Sequence, residues 1–97
     1  MLARIHDALE EDWTVERMTK VASMSRSAFA DRFRSLVGVA PMRYLNELRL
    51  ARAATLLRST DMTVVQVAGR VGYGSEASLA RAFRSRFEVT PAAFRAR

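Results

Sequence analysis

Cysteine is absent from the 97 residues, which removes disulfides and thiolate metal sites. His6 is the only histidine, and one imidazole cannot build a zinc cluster. No metal or cofactor is therefore expected. No apolar run approaches the roughly 20 residues that span a bilayer. No segment alternates apolar and polar residues for a useful strand length either. Lysine is nearly missing: Lys20 stands alone beside an excess of arginine, and the formal net charge is +6. The planar fork of arginine suits phosphate and guanine, which a point charge does not match as well. A chain this short has room for one small helical module, not for a large enzyme with a cleft. The acids that acid–base chemistry would need, Glu10, Glu11, Asp12 and Glu16, gather at one helix end, as solvated charge clusters do. Trp13 lies among these acids, the reverse of a basic membrane-surface helix. The opening segment is amphipathic, ends in acid and lacks signal-peptide character, so a cytoplasmic, non-enzymatic protein with no membrane partner is expected.

What is present is helical spacing. Leu2, Ile5, His6 and Leu9 share one face, predicting a helix over Leu2–Glu11. His6 reads as a solvated or half-buried member of that helix. Thr14 is a helix N-cap with Glu16 in the first turn, and a short helix runs to about Ser23 with Val15, Met18, Val21 and Ala22 inward. Trp13 is placed to staple against Met18. Ser25 caps the next helix, whose apolar side is Ala28, Phe29, Phe33, Leu36 and Val37. Gly38 ends it in the left-handed conformation. Pro41 starts the longest helix, Pro41–Arg58, with Tyr44, Leu45, Leu48, Ala51, Leu56 and Leu57 as core and Arg43, Arg49, Arg52 and Arg58 elsewhere. Thr63 and Gln66 form a capping box, with Val64, Val67, Ala68 and Val71 inward. Gly72-Tyr73-Gly74 makes a turn. Ser75 caps a helix burying Leu79, Ala82, Phe83 and Phe87. Thr90-Pro91 opens a last turn anchored by Phe94. The class is all-α.

The segment Thr14–Tyr44 repeats as Thr63–Phe94, at a shift of about fifty residues. Thr14-Val15 matches Thr63-Val64, Met18 matches Val67, and Ala22 matches Val71. After one extra residue, Gly74, Ser25 matches Ser75, Phe29 matches Leu79, and Phe33-Arg34-Ser35 matches Phe83-Arg84-Ser85. Pro41 matches Pro91, and Tyr44 matches Phe94. The repeated unit is a short capped helix, a tight turn and a Ser-capped longer helix, which is a helix-turn-helix. A duplicated helical hairpin also suits a protein-binding solenoid, so the repeat alone does not decide.

The polar faces favour DNA over a merely solvated surface. Opposite Phe29 and Phe33 lie Arg26, Ser27, Ala30, Asp31 and Arg34. The matching face of the second unit carries Glu76, Ala77, Ala80, Arg81 and Arg84. Small residues permit close approach to base edges, and arginines reach bases or phosphates. A solvated face more often carries Glu/Lys pairs.

Taken jointly, Arg49-Leu-Ala-Arg-Ala-Ala-Thr-Leu-Leu57, Val67-Ala68, Val71-Gly72-Tyr73, Ser75, Arg81, Phe83 and Pro91 resemble the signature of the AraC/XylS family of transcriptional regulators. The string Met24-Ser-Arg-Ser-Ala-Phe-Ala-Asp-Arg-Phe33, followed by Gly38 and Pro41-Met-Arg-Tyr-Leu45, is similar to the family's first unit. The resemblance covers nearly the whole chain. It implies about seven helices in one DNA-binding module: a helix-turn-helix subdomain over 1–40, a long connecting helix over 41–58, and a second subdomain over 59–97. It implies base reading by Ser27, Ala30 and Asp31 in the first unit, and by Ala77, Ser78 and Arg81 with Glu76 beside them in the second. Arg26, Arg34 and Arg84 fall where phosphate or groove-edge contacts are expected. Asp31 either accepts from a cytosine amino group or pairs with Arg34 one turn on. Three positions depart from the pattern. Glu88 replaces the usual helix-ending glycine, which suggests a less tidy helix end; Leu79 replaces a phenylalanine; Thr19 replaces an alanine at a close helix contact.

The resemblance further implies sequence-specific binding to double-stranded promoter DNA, with two recognition helices in successive major-groove turns about 34 Å apart. RNA polymerase is the implied regulatory partner. An effector-binding or dimerisation domain usually precedes the module in the family, and an excised C-terminal fragment is the favoured reading of this chain. A protein-interaction adaptor is the competing reading; it requires an exposed apolar groove, for which the pattern leaves no obvious residues.

Overall fold

A computed structural model describes Leu2–Arg97. Among the described residues it holds seven helices and no strand: α1 (Leu2–Asp7), α2 (Val15–Ala22), α3 (Arg26–Val37), α4 (Pro41–Ser59), α5 (Val64–Val71), α6 (Glu76–Phe87) and α7 (Pro91–Arg95). The all-α expectation therefore holds. Two compact units divide within α4, one ending at Leu48 and the other running Arg49–Arg97.

In the N-terminal unit, local chemistry sets the helix starts. The Thr14 hydroxyl accepts from the Arg17 N–H at 3.1 Å, and the Ser25 hydroxyl from the Ala28 N–H at 3.3 Å. Each satisfies one of the amides left open at a helix start. α1 stops at Asp7, four residues short of the expected Glu11. The Ala8 carbonyl instead accepts from the Trp13 indole at 2.8 Å and from the Glu11 N–H at 3.1 Å, so a turn replaces the continuing helix. Trp13 is 3% exposed and joins Ile5, Leu9, Met18, Phe29, Phe33 and Leu45 in one core. Phe33 stands between Phe29 and Tyr44, ring centres 5.6 and 5.5 Å away. His6 is exposed, and its Nε2 lies 2.9 Å from the Tyr44 hydroxyl.

Some inward assignments fail. Leu36, seven residues from Phe29 and on its side of the helix, is 71% exposed and borders an open concavity of the N-terminal unit. Ala28 is exposed too. On α4, Ala51 is exposed, while Leu50, Ala53, Ala54 and Leu57 are buried and Arg49 keeps only 9% of its surface. α4 serves one core with Leu45 and the other with Leu50–Leu57, and its buried positions change phase between them. A single amphipathic stripe was the wrong template for such a helix.

The C-terminal unit repeats the scheme. The expected capping box is complete: the Thr63 hydroxyl accepts from the Gln66 N–H at 3.1 Å, and the Gln66 side chain accepts from the Thr63 N–H at 2.8 Å. Val67, Ala68, Val71, Leu79 and Phe83 are almost fully buried with Leu57. Phe83 meets Phe87 at 4.7 Å and Phe94 at 5.3 Å between ring centres. Arg95 donates to the Leu57 and Thr60 carbonyls, closing open acceptors at the end of α4. Thr19, the departure from alanine, donates its hydroxyl to the Glu16 carbonyl at 2.7 Å and so leaves no unsatisfied polar group.

The helix ends carry a crossed pattern. α2 and α5 end on left-handed Ser23 (φ 55°) and Gly72 (φ 94°); α3 and α6 end on left-handed Gly38 (φ 89°) and Glu88 (φ 65°). Glu88 does not loosen its helix end as expected: its N–H reaches the Arg84 carbonyl at 2.8 Å, as Gly38 reaches that of Arg34 at 2.8 Å. The cost is conformational, because a Cβ disfavours positive φ. Ser23→Gly and Glu88→Gly should each raise stability by about 0.5–1 kcal/mol in urea unfolding, after the extra freedom of unfolded glycine is subtracted. Gly38→Ala, whose Cβ would meet no atom within 4 Å, should lose about 1–2 kcal/mol through φ alone. A destabilised Ser23→Gly variant would show instead that the serine side chain holds that turn.

Candidate nucleic-acid interface

In each unit a short helix and a longer Ser-capped helix meet across a tight turn. Three residues, Ser23-Met24-Ser25, separate α2 from α3; four, Gly72-Tyr73-Gly74-Ser75, separate α5 from α6. Both turns begin with the same closing bond, Met24 N–H to the Thr19 carbonyl at 3.1 Å and Tyr73 N–H to the Ala68 carbonyl at 2.9 Å. The chain thus leaves the two short helices through the same backbone turn.

α3 buries Phe29 and Phe33. Away from them, Arg26, Ser27, Asp31 and Arg34 are exposed and Ala30 is half-buried. α6 buries Leu79 and Phe83. Away from these, Glu76, Ala77, Arg81 and Arg84 are exposed, with Ala80 and Ser78 half-buried. The repeat pairs these positions one for one: Ser27 with Ala77, Ala30 with Ala80, Asp31 with Arg81 and Arg34 with Arg84. At about 100° per residue each set forms one narrow stripe. Ser78 sits at the stripe's edge, and its hydroxyl bonds that of the cap residue Ser75 at 3.0 Å. The two units differ where charge matters: Asp31 and Arg26 in the first correspond in the repeat to Arg81 and Glu76 in the second.

The arginines are not equally free. Arg26 forms an ion pair with Glu16, tying the first turn of α3 to that of α2. From the sequence Glu16 is a first-turn acid and a member of a solvated charge cluster; no periodic signal links residues ten apart across a turn. The Glu16 carboxyl is held below the ordinary carboxylate range, first by a backbone hydrogen bond and then by the Arg26 charge. The pair therefore persists at neutral pH and is lost only as pH falls through that lowered value. Arg17, outside the stripe, pairs with Glu11 and lies 4.6 Å over the Trp13 ring. Among the described residues Asp31, Arg34, Arg81 and Arg84 enter no ion pair, so Asp31 does not pair with Arg34. Also among the described residues, no group of three metal-ligating side chains occurs and no helix is long and apolar enough to cross a membrane.

A family model described as a helix-turn-helix domain matches residues 18–97. The chain belongs to the AraC-type helix-turn-helix family. This AraC-type module is similar to the transcriptional regulator AlkR of Acinetobacter baylyi, with 42% identity over 94 residues that make up 97% of the chain and 31% of AlkR. It is also similar to RclR of Escherichia coli, an RCS-specific transcriptional activator, with 42% identity over 85 residues covering 88% of the chain and 30% of RclR. The AraC-type chain thus spans about a third of the length of these curated relatives. Among solved structures it is similar to the DNA-binding domain of the global transcriptional factor AdpA, crystallised with a target DNA: TM-score 0.94 and 41% identity, over 98% of this chain and 86% of that one.

Proposed function

We propose that this module is the sequence-specific DNA-binding part of a transcription regulator, with α3 and α6 as the recognition helices. One observation carries the reading. Each unit buries one pair, Phe29 and Phe33 or Leu79 and Phe83, on one side of its Ser-capped helix and presents, on the other, small residues and exposed arginines, of which Arg34 and Arg84 stand at matching positions. Small side chains let a helix seat deeply in a major groove, where its arginines reach guanine edges or phosphates. The likeness to the DNA-binding domain of AdpA, crystallised with a target DNA, supports DNA as the ligand of this module.

In this reading Ser27, Ala30 and Asp31 face bases from α3, and Ala77, Ser78 and Arg81 do so from α6 with Glu76 alongside. Arg26, Arg34 and Arg84 hold the backbone. Asp31, which among the described residues enters no ion pair, accepts from a cytosine amino group. The two helices read adjacent major-groove segments, giving an asymmetric site rather than a palindrome. RNA polymerase is the partner through which the bound regulator acts, an effector or dimerisation domain governs it, and the cytoplasm is where it works.

Selection of bound fragments from genomic DNA at two salt concentrations tests the reading. A single enriched asymmetric motif is the expected result; no enrichment at either concentration would end it. Arg34→Ala and Arg84→Ala should each weaken binding across all sequences and lower the slope of log K against log salt by about 1, as loss of one phosphate contact does. An unchanged slope would remove that residue from the backbone contacts.

A further inference from the structure

The N-terminal unit carries an apolar concavity that the DNA-facing stripe does not use. It measures about 360 Å³ and is walled by residues of α1, α2, α3 and the turn between the last two, among them Val21, Met24, Phe29, Leu36 and Val37. Leu36 at its rim is 71% exposed. Among the described residues Arg32 is its one charged lining residue; it is exposed and enters no ion pair.

The repeat supplies an internal control. Val21 and Leu36 correspond to Arg70 and Arg86 in the C-terminal unit, and Arg32 corresponds to Ala82. The Arg86 guanidinium lies 5.1 Å from the Phe87 ring centre, covering there what is left open beside Val37. The fold therefore accepts arginine at both rim positions, and packing does not demand the apolar rim of the first unit. The apolar rim is therefore a property of this unit's surface rather than of the shared fold, and an exposed leucine beside an apolar concavity offers a partner's anchor side chain a place to seat.

Position on the helix matters as well. Ser27, Ala30, Asp31 and Arg34 form one stripe of α3, whereas Phe29, Arg32, Phe33 and Leu36 lie on the opposite side at about 100° per residue. The concavity stays open while the stripe is engaged.

We infer that this concavity docks an amphipathic helical segment of a partner protein, with one large apolar side chain seated against Phe29 and Leu36 and an adjacent carboxylate on Arg32. The volume takes a leucine or phenylalanine side chain with its neighbours, and helix-in-groove recognition needs such an anchor. Charge selects the partner: the rim offers a single unpaired guanidinium and no acid, so a Glu or Asp beside the anchor gains a charge-assisted bond and a Lys is repelled.

Two short synthetic helical peptides test this. Both carry leucines at i, i+3, i+4 and i+7; one has glutamates beside them and the other lysines. Each is titrated into the methyl-labelled protein. The acidic peptide should shift the methyl signals of Val21, Met24 and Leu36 and bind about threefold to fivefold tighter than the basic one. Leu36→Gln should weaken it about tenfold, the loss of one apolar anchor. Arg32→Glu should reverse the preference in favour of the basic peptide. Equal binding of both peptides, or shifts confined to other surfaces, would overturn the inference. So would groove shifts that grow with protein concentration in the absence of peptide, which would identify a second copy as the occupant. DNA affinity of Leu36→Gln, measured on the same samples, should match the parent. Its loss in a folded variant would assign the groove to DNA and overturn the docking site without touching the recognition stripe.

Discussion

Phe83→Ala should lower the unfolding free energy of the Arg49–Arg97 unit by about 3–5 kcal/mol. Phe83 is fully buried and is the ring on which the others converge, with Phe87 and Phe94 both against it. Alanine there removes the aromatic contacts and leaves a cavity under α7, whose five residues cannot hold themselves as a helix. Against a typical domain stability of about 5–15 kcal/mol the loss is large, and larger still for half of a small module. Residue-resolved amide exchange is the measurement of choice, because it separates the two units: protection should fall across α5, α6 and α7. Phe33→Ala is the counterpart in the other unit, where Phe29 and Tyr44 flank the ring. A loss below about 1 kcal/mol for Phe83→Ala would mean that this core repacks and that the aromatic cluster is not what holds α6 in place.

Arg81→Ala should cost about 1–3 kcal/mol of DNA-binding free energy, and the cost should concentrate at one base pair of the site. The argument rests on position and freedom together. Arg81 is exposed on the α6 stripe and, among the described residues, enters no ion pair, so binding need not first break an internal contact. Its counterpart in α3 is Asp31, so the two Ser-capped helices present opposite charge at matching positions and, if both read DNA as proposed, are expected to prefer different bases. Competition binding with single-base-substituted duplexes reads both effects. Equal affinity for cognate DNA would show Arg81 to be misassigned. A uniform loss over all duplexes would move it from base reading to the phosphate backbone.

Much of this architecture was legible before any coordinates, because its signals are local. The caps Thr14, Ser25, Thr63, Ser75 and Thr90 each act through a hydroxyl reaching an amide three residues on, a relation that lies within one turn of chain. The repeat located both Ser-capped helices and both exposed stripes. Non-local facts were not visible. Leu36 has the spacing of a core residue, yet it borders an open concavity and stays exposed. Arg49 reads as a surface cation until tertiary packing encloses it. Ser23 has no intrinsic preference for positive φ. Yet its place opposite Gly72 in the repeat was a usable signal, since Gly72 has the residue type that conformation selects. The Glu16–Arg26 pair depends on how the turn folds α3 back past α2, and no spacing rule reports that.

The division of labour within α3 and α6 has a consequence for how such a module changes. The side chains that hold each helix down and those that face outward are disjoint sets on the same twelve-residue element. Rewriting Ser27, Ala30, Asp31 or Arg34, or their counterparts in the other half, disturbs no buried ring. New binding preferences can therefore be installed in one half at a time by swapping a handful of surface letters, with the scaffold left as it stands.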